Sequence, residues 1–319
     1  MVMQMFESPV AHLWSDHQSL GPFKPLNNSF LVHPQQHALL SAAQAAPQAA
    51  NRHQAQKSRG LQELLTRIGE YQQILHAEKR QAVLLIFQGM DAAGKDSAIH
   101  AVLGSLSPTG CQVFAFKQPN HQEQAHDFLW RCQPALPERG MFSIFNRSYY
   151  EEVLAVRVHP QYLQDQNLLN ADEPGIWQDR FESMCNFEKH LARNGTVILK
   201  FWLHVSKHEQ LVRLESRLRD AKKHWKISAH DLQEHRYWNQ YMHAYQAAVK
   251  ATSTPWAPWY VIPADDKQLA HLAIAEVIAA TLGQLGLSYP TLHPHSQREQ
   301  LAELERLVEQ QACPLHGSR

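Results

Sequence analysis

The run AVLLIFQ at 82–88, followed at once by GMDAAGKDS at 89–97, constrains this chain more than any other feature. A short continuous apolar run bounded by glycine reads as a strand buried on both faces, and such strands belong to parallel sheets. The loop after it fits G-x-x-x-x-G-K and opens a helical stretch, the strand–loop–helix setting that such a loop requires. Gly89 and Gly94 allow the backbone to curl so that several N–H groups converge. The helix N-terminus adds partial positive charge and Lys95 a full one, which together make a cradle for phosphate groups. Its candidate binding residues are Gly89, Met90, Ala92, Ala93, Gly94, Asp96 and Ser97, with Lys95 following a phosphoryl group into the transition state.

The loop departs from the common pattern, because Asp96 stands after the lysine where Ser or Thr is usual, and Asp91 lies inside the loop. Carboxylates in a phosphate cradle repel the ligand unless a cation lies between them. The pair therefore argues for Mg2+ held by protein and phosphate oxygens together. Asp96 reads equally well as a first-turn residue favoured by the helix dipole.

The alternation continues along the chain. Further strands are expected at 111–117, 141–146, 196–205 and 258–263, with helices at 96–106, 122–133, 148–156, 176–193, 207–219, 229–250 and 266–284. Five strands separated by helices predict an α/β fold, a parallel sheet covered on both faces. A helical period also runs through Leu61, Leu64, Leu65, Ile68, Tyr71 and Leu75, and an amphipathic helix is expected at 297–311. Residues 1–58, with SAAQAAPQAA at their centre, read as an N-terminal extension ending in a linker near 58. The catalytic domain is then expected over 59–290 and a C-terminal helix and tail over 291–319.

A second strand enters a helix in GMFSIFNRSYYEEVLAVRVH at 140–159. Where a metal-binding carboxylate commonly ends such a strand, Asn146 stands here. The metal charge would then be balanced by Asp91 and by Glu151 or Glu152, and Arg147 suits a bidentate phosphate contact. Segment 207–226 carries seven cations against three anions, a local +4 in a chain of zero formal charge. Such a segment beside a phosphate loop predicts a grip on a polyanion. The neutral whole gives no sign of nucleic acid as a partner, and no apolar run is long enough to span a membrane. The four cysteines form no CxxC pair, which reads as a reduced, cytoplasmic protein. The 21 histidines are scattered, with no HExxH motif among them.

These pieces together resemble the polyphosphate kinase 2 family. The stretches that carry the likeness are GMDAAGKDS, HDFLWR at 126–131, FNRSYYEEVLAVRVH at 145–159, GTVILKFWLHVSKHEQLVRL at 195–214, KHWKIS at 223–228 and APWYVIPADDK at 257–267, in order over roughly 60–285. The resemblance implies a P-loop kinase-like three-layer fold with a helical lid at about 207–240. It implies reversible transfer of the terminal phosphoryl of inorganic polyphosphate to a nucleotide. By that likeness Asp91 and Asn146 take the metal positions, for Mg2+ with Mn2+ as a substitute, and Lys95 and Arg147 hold the transferring phosphoryl. Arg213, Arg217, Lys223 and Lys226 belong to the lid, Lys117 faces phosphates, and Asp127 and Arg131 lie near the acceptor nucleotide. The family likeness also implies a homo-oligomer.

Much of the family has Asp where Asn146 stands, and the Asn form resembles the branch that phosphorylates both nucleoside mono- and diphosphates, here AMP and ADP. The lid's usual Asp-Pro is Asp220-Ala221, which should loosen that turn. Transfer needs no covalent intermediate, and nothing near His126 or His159 supports a phosphohistidine. The alternatives are an ATP-dependent nucleoside monophosphate kinase, an ADP-specific polyphosphate kinase, and a polyphosphate-binding protein without turnover.

Overall fold

The computed structural model describes residues 54–104, 106–166, 168–169 and 174–312. The extension expected over 1–58 lies, as far as residue 53, outside the described residues, as does Cys313. The elements run α1 (Gln54–Glu78), β1 (Ala82–Gln88), α2 (Lys95–Leu103), β2 (Cys111–Ala115), α3 (His121–Gln124), β3 (Phe142–Asn146), α4 (Ala155–Val158), α5 (Pro160–Asp165) and α6 (Ile176–Arg193). Then follow β4 (Thr196–His204), α7 (Lys207–Arg219), α8 (Ala229–Arg236), α9 (Trp238–Thr252), β5 (Trp259–Pro263), α10 (Lys267–Gln284) and α11 (Pro294–Ala312). Short 3-10 turns lie at Trp130–Ala135, Tyr149–Val153 and Ala221–Lys226. The described residues fall into two units, one ending at Leu287 and one beginning at Ser288, which contains α11.

All five strands are parallel, in the order β2-β3-β1-β4-β5. The sheet is buried on both faces at its centre, so the central strands are mostly apolar on both faces while their side chains still alternate. Val83, Leu85 and Phe87 of β1 and Val197, Leu199 and Phe201 of β4 meet Leu65, Ile68 and Leu75 of α1 and Ile274 and Ile278 of α10. Leu84, Ile86, Ile198 and Trp202 face the other way, against Met184 of α6 and Tyr245 and Val249 of α9. Lys200, the one charge in β4, is fully buried on this second face. Its ammonium donates to Glu188 of α6 at 2.6 Å, the Tyr150 hydroxyl at 2.8 Å and the Thr252 carbonyl at 2.8 Å. A buried charge persists only with this degree of pairing.

Four expectations are corrected. The linker placed near residue 58 falls inside α1, whose helical backbone begins at Gln54. The helix expected over 122–133 is one turn, closed by the reciprocal Asn120–Glu123 capping box, and then a 3-10 segment containing Pro134, whose ring removes a helical donor. The helix expected over 148–156 is a 3-10 turn and the short α4, parted at Leu154 with φ −109° and ψ −83°. The helix expected over 229–250 is two, α8 and α9, parted at Tyr237.

Candidate active site

The topology brings two strand ends together. β1 and β3 are neighbours with Phe87 opposite Asn146, so the loop after β1 and the turn after β3 emerge side by side at the carboxyl edge of the sheet. That edge, where successive connections diverge, is where open α/β sheets bind ligands.

Backbone strain concentrates at this edge. Ala92 and Arg147 both hold φ of +63°, in the left-handed region that a side chain disfavours. Gly94 precedes α2 at φ +103°. A Cβ at Gly89 would lie 2.9 Å from the Leu203 carbonyl and 3.1 Å from the Ala93 Cβ, so the loop sits on β4 in a way only glycine permits. With Met90, Ala92 and Ala93 buried beneath it, the loop rests on the core with its polar side outward.

The charged groups are paired across the two turns. Asp91 Oδ1 accepts from Arg147 Nη2 at 2.6 Å. Asp96 Oδ1 accepts from Asn146 Nδ2 at 2.6 Å. Each loop carboxylate thus meets one of the two consecutive residues that leave β3. Arg147 Nη1 also lies 3.5 Å from Glu151 Oε2, and Glu151 Oε1 accepts from Gln88 Nε2 at 3.2 Å. Glu151 raises the affinity of Arg147 for its proton more than burial lowers it, with Asp91 adding to the effect. Burial pushes the Asp91 carboxyl up, but Arg147, Lys95 and Arg217 together hold it below its ordinary value, so it is ionised at neutral pH.

Lys95 is buried and turned back onto its own loop, donating to the Gly89 carbonyl at 2.6 Å and the Met90 carbonyl at 3.3 Å. Burial, then Arg147, pushes its ammonium down to about 8, while Asp91, Glu151 and Asp96 resist. Ser97 Oγ lies 3.4 Å from His271 Nε2 on α10. Glu234, Tyr241 and Tyr245 close the cleft beside Asp91 and Arg147. Glu234 accepts from the Tyr241 hydroxyl at 2.6 Å and lies 2.9 Å from the buried His159 ring. None of these three entered the sequence reading. Glu234 lies on α8 and Tyr241 and Tyr245 on α9, and the break between the two helices, which no Pro or Gly marks, kept their convergence out of the sequence pattern.

The segment expected to form a lid consists of α7, the turn at Ala221–Lys226 and α8. Arg217 Nη1 donates to the Lys226 carbonyl at 2.9 Å, closing this turn. Asp220 ties down the turn that Ala221 enters, since one carboxylate oxygen caps the Lys222 N–H at 3.1 Å and the other meets Lys223 Nζ at 2.9 Å. The Lys226 ammonium lies 4.7 Å from the centre of the exposed Trp225 ring. Arg213 departs from the lid set: it is buried, and its donors go to backbone carbonyls of the core.

Lys117 is exposed two residues past the end of β2, and its carbonyl accepts from Arg131 Nη2 at 2.9 Å. Arg131 lies 3.4 Å from Glu123 and packs over the Phe116 ring, and Asp127 Oδ1 caps the Leu129 N–H at 2.9 Å. Asp127, Phe128, Arg131, Glu152 and Arg180 line a separate cavity of about 280 Å3. Within it Arg180, 3 % exposed, is ion-paired to Glu152. Glu151 and Glu152 thus face opposite ways, one to the phosphate loop and one to this cavity.

Among the described residues no three His, Cys, Asp or Glu side chains converge as an all-protein metal cage. The donors fit a hard ion of the Mg2+ type, which takes one or two carboxylates and fills its shell with phosphate oxygens and water. Among the described residues no helix is long and apolar enough to cross a membrane.

A glycine loop between a buried parallel strand and a helix, a lysine at the helix start, an arginine from the neighbouring strand end and a cationic helix-turn-helix segment define a P-loop phosphotransferase. The family model for polyphosphate kinase 2 matches residues 51–286, most of the chain, and the protein belongs to that family. It is 50 % identical over 244 residues to an ADP-polyphosphate phosphotransferase of Rhodopseudomonas palustris, covering 76 % of this chain and 84 % of the relative. It is 41 % identical to an AMP/ADP-polyphosphate phosphotransferase of Meiothermus ruber, covering 73 % of this chain and 83 % of that one. A crystal structure of polyphosphate kinase 2 from Arthrobacter aurescens superposes with a TM-score of 0.70 at 39 % identity, over 77 % of this chain and 87 % of that one. The protein is therefore a polyphosphate-dependent nucleotide kinase, with polyphosphate and a nucleotide as substrates. Members of the family depend on a divalent metal.

Proposed function

We propose that this enzyme transfers the terminal phosphoryl of polyphosphate to AMP and to ADP, with Mg2+ (Mn2+ as a substitute), acting in the cytoplasm as a homo-oligomer. The observation that carries the reading is the Asp91–Arg147 pair at 2.6 Å beside the buried Lys95, with Asn146 rather than Asp at the end of β3. Both substrates are polyanions, so charge neutralisation dominates the chemistry. Lys95 and Arg147 hold the transferring phosphoryl, while Asp91 and Asn146, with Glu151 nearby, hold the metal, which supplies Lewis-acid charge neutralisation. The loop residues Gly89 to Ser97 seat the phosphates. An acceptor phosphate oxygen attacks the terminal phosphorus in line. A new P–O bond forms, the bridging P–O bond breaks, and its electron pair leaves on the shortened polyphosphate. Arg217, Lys223 and Lys226 of the lid grip the polyphosphate and exclude water, and Lys117 meets phosphates at the rim. The cavity of about 280 Å3 at Asp127 and Arg131, close to the lower end of small-molecule pockets, takes the acceptor.

Purified protein incubated with Mg2+, long-chain polyphosphate and either AMP or ADP, with products separated by chromatography, tests this. The expected products are ADP and ATP from AMP. A second reading, ADP alone as acceptor, is favoured by the 50 % identity to an enzyme named for ADP only. It holds if AMP is left unreacted. Turnover with ATP as donor and none with polyphosphate would overturn both.

A further inference from the structure

We infer that Arg213 and Gln210 of α7 are positioning residues, which shape the phosphate cradle from behind rather than gripping polyphosphate from the lid. Every carbonyl of residues 89 to 93 accepts from a side chain. Lys95 takes Gly89 and Met90, Gln210 Nε2 takes Asp91 at 2.9 Å, and Arg213 Nη1 takes Ala92 at 3.1 Å and Ala93 at 3.0 Å. The far side of the same guanidinium, Nη2, donates to the Ala264 carbonyl at 2.6 Å and the Asp265 carbonyl at 2.9 Å, just past β5. Nε meets Glu209 at 2.8 Å. Arg213 is thus occupied on every nitrogen and buried, as is Gln210, whose amide oxygen lies 2.7 Å from the His235 ring. The Arg213 guanidinium has no donor left for a ligand.

The consequence follows from peptide geometry. A trans peptide sets its N–H opposite its C=O. Drawing the carbonyls of Asp91 and Ala93 toward α7 turns the N–H groups of Ala92 and Gly94 into the cradle. The N–H between them, that of Ala93, closes the loop onto the Met90 carbonyl at 3.1 Å. Ala92, at φ +63°, is held in a conformation an alanine avoids, and the residue that fastens its carbonyl is Arg213. When substrate draws Lys95 toward phosphate, the Gly89 carbonyl loses its side-chain donor and the Met90 carbonyl keeps only the Ala93 N–H. Gln210 and Arg213 then hold the loop's shape. Amides aimed at developing charge in advance act on the transition state more than on the ground state.

This deepens the polyphosphate-dependent transfer proposed above and rests on it for its kinetic readout; amide exchange supplies one independent of turnover. Arg213→Lys keeps the charge but loses the planar fork that spans two pairs of carbonyls. The expected result is a loss of roughly 10- to 100-fold in kcat, with KM for polyphosphate and nucleotide within about twofold. Amide exchange over 89–95 should quicken at least about tenfold, with that of β1 unchanged. Adding Ala92→Gly to Arg213→Lys should recover several-fold in kcat, because glycine adopts the left-handed turn without being held. Unchanged exchange across the loop overturns the inference, whatever the wild type transfers. A rise in KM at constant kcat would return Arg213 to polyphosphate binding, and a loss that Ala92→Gly leaves untouched would make it an anchor of α7 alone. If Arg213→Lys does not fold, Gln210→Leu removes only the Asp91 carbonyl bond; faster loop exchange in it supports the inference and wild-type exchange overturns it. Failure of the wild type to use polyphosphate would instead count against the proposed function.

Discussion

Lys95 sets the pH behaviour of the site. Its free-enzyme pKa of about 8 is low because burial and Arg147 disfavour the ammonium. Transfer needs the charged form, so kcat/KM should fall as pH rises through about 8. Bound polyphosphate adds negative charge beside the ammonium and raises that pKa. The alkaline limb of kcat should therefore lie at higher pH than that of kcat/KM, and both limbs should move out of range in Lys95→Arg. Lys95→Ala should lose roughly 100- to 1000-fold or more in kcat with an unchanged circular dichroism spectrum. A fully active variant would remove the lysine from the chemistry. Asn146→Asp would set a carboxylate where an amide now donates to Asp96 at 2.6 Å. Like charges at that spacing should cost about 1–2 kcal/mol of metal-free stability. Thermal melts in chelator should show the loss, and added Mg2+ should reverse it through tighter binding.

At the scale of elements, β4 carries a liability invisible in its hydropathy. Lys200 and Glu188 are both fully buried, 2.6 Å apart, with Tyr149 and Tyr150 also donating to Glu188. Lys200→Met leaves that carboxylate uncompensated and should cost about 3–5 kcal/mol. Lys200→Met with Glu188→Gln should recover most of it, read by urea unfolding at neutral pH. A small loss in the single variant would mean that the Tyr149 and Tyr150 hydroxyls alone suffice to hold Glu188. The parallel strands, α6 and α7 were legible to the residue or nearly so, because their hydrophobic period and their caps agree. The breaks at Leu154 and Tyr237 were not, because no Pro or Gly marks them. They are decided by packing, as where Tyr149 and Tyr150, consecutive in sequence, both reach the same Glu188.

At the scale of the molecule, the family match ends at residue 286 and the first structural unit at Leu287. Beyond them α11 exposes Leu301, Leu304 and Val308 along one helical face. Truncation after Leu287 should leave kcat and the melting temperature of the catalytic unit within error. A clear fall in either would show that α11 supports the kinase unit.

The sequence by itself determined the sheet, the phosphate loop and its cationic companion, since each rests on residues adjacent in the chain. A buried strand, a glycine turn and a helix start are local events whose physics is complete within about ten residues. Only the tertiary structure decided what the charges do. Asp91 meets Arg147 and Asp96 meets Asn146 because β1 and β3 are neighbours in the sheet, although their residues lie 50 or more apart in the chain. Arg213 and Arg217 share a face of one helix and carry the same charge. One is buried among the loop's carbonyls and the other closes the lid turn, because where a helix packs, and not its composition, chooses the partner of each guanidinium.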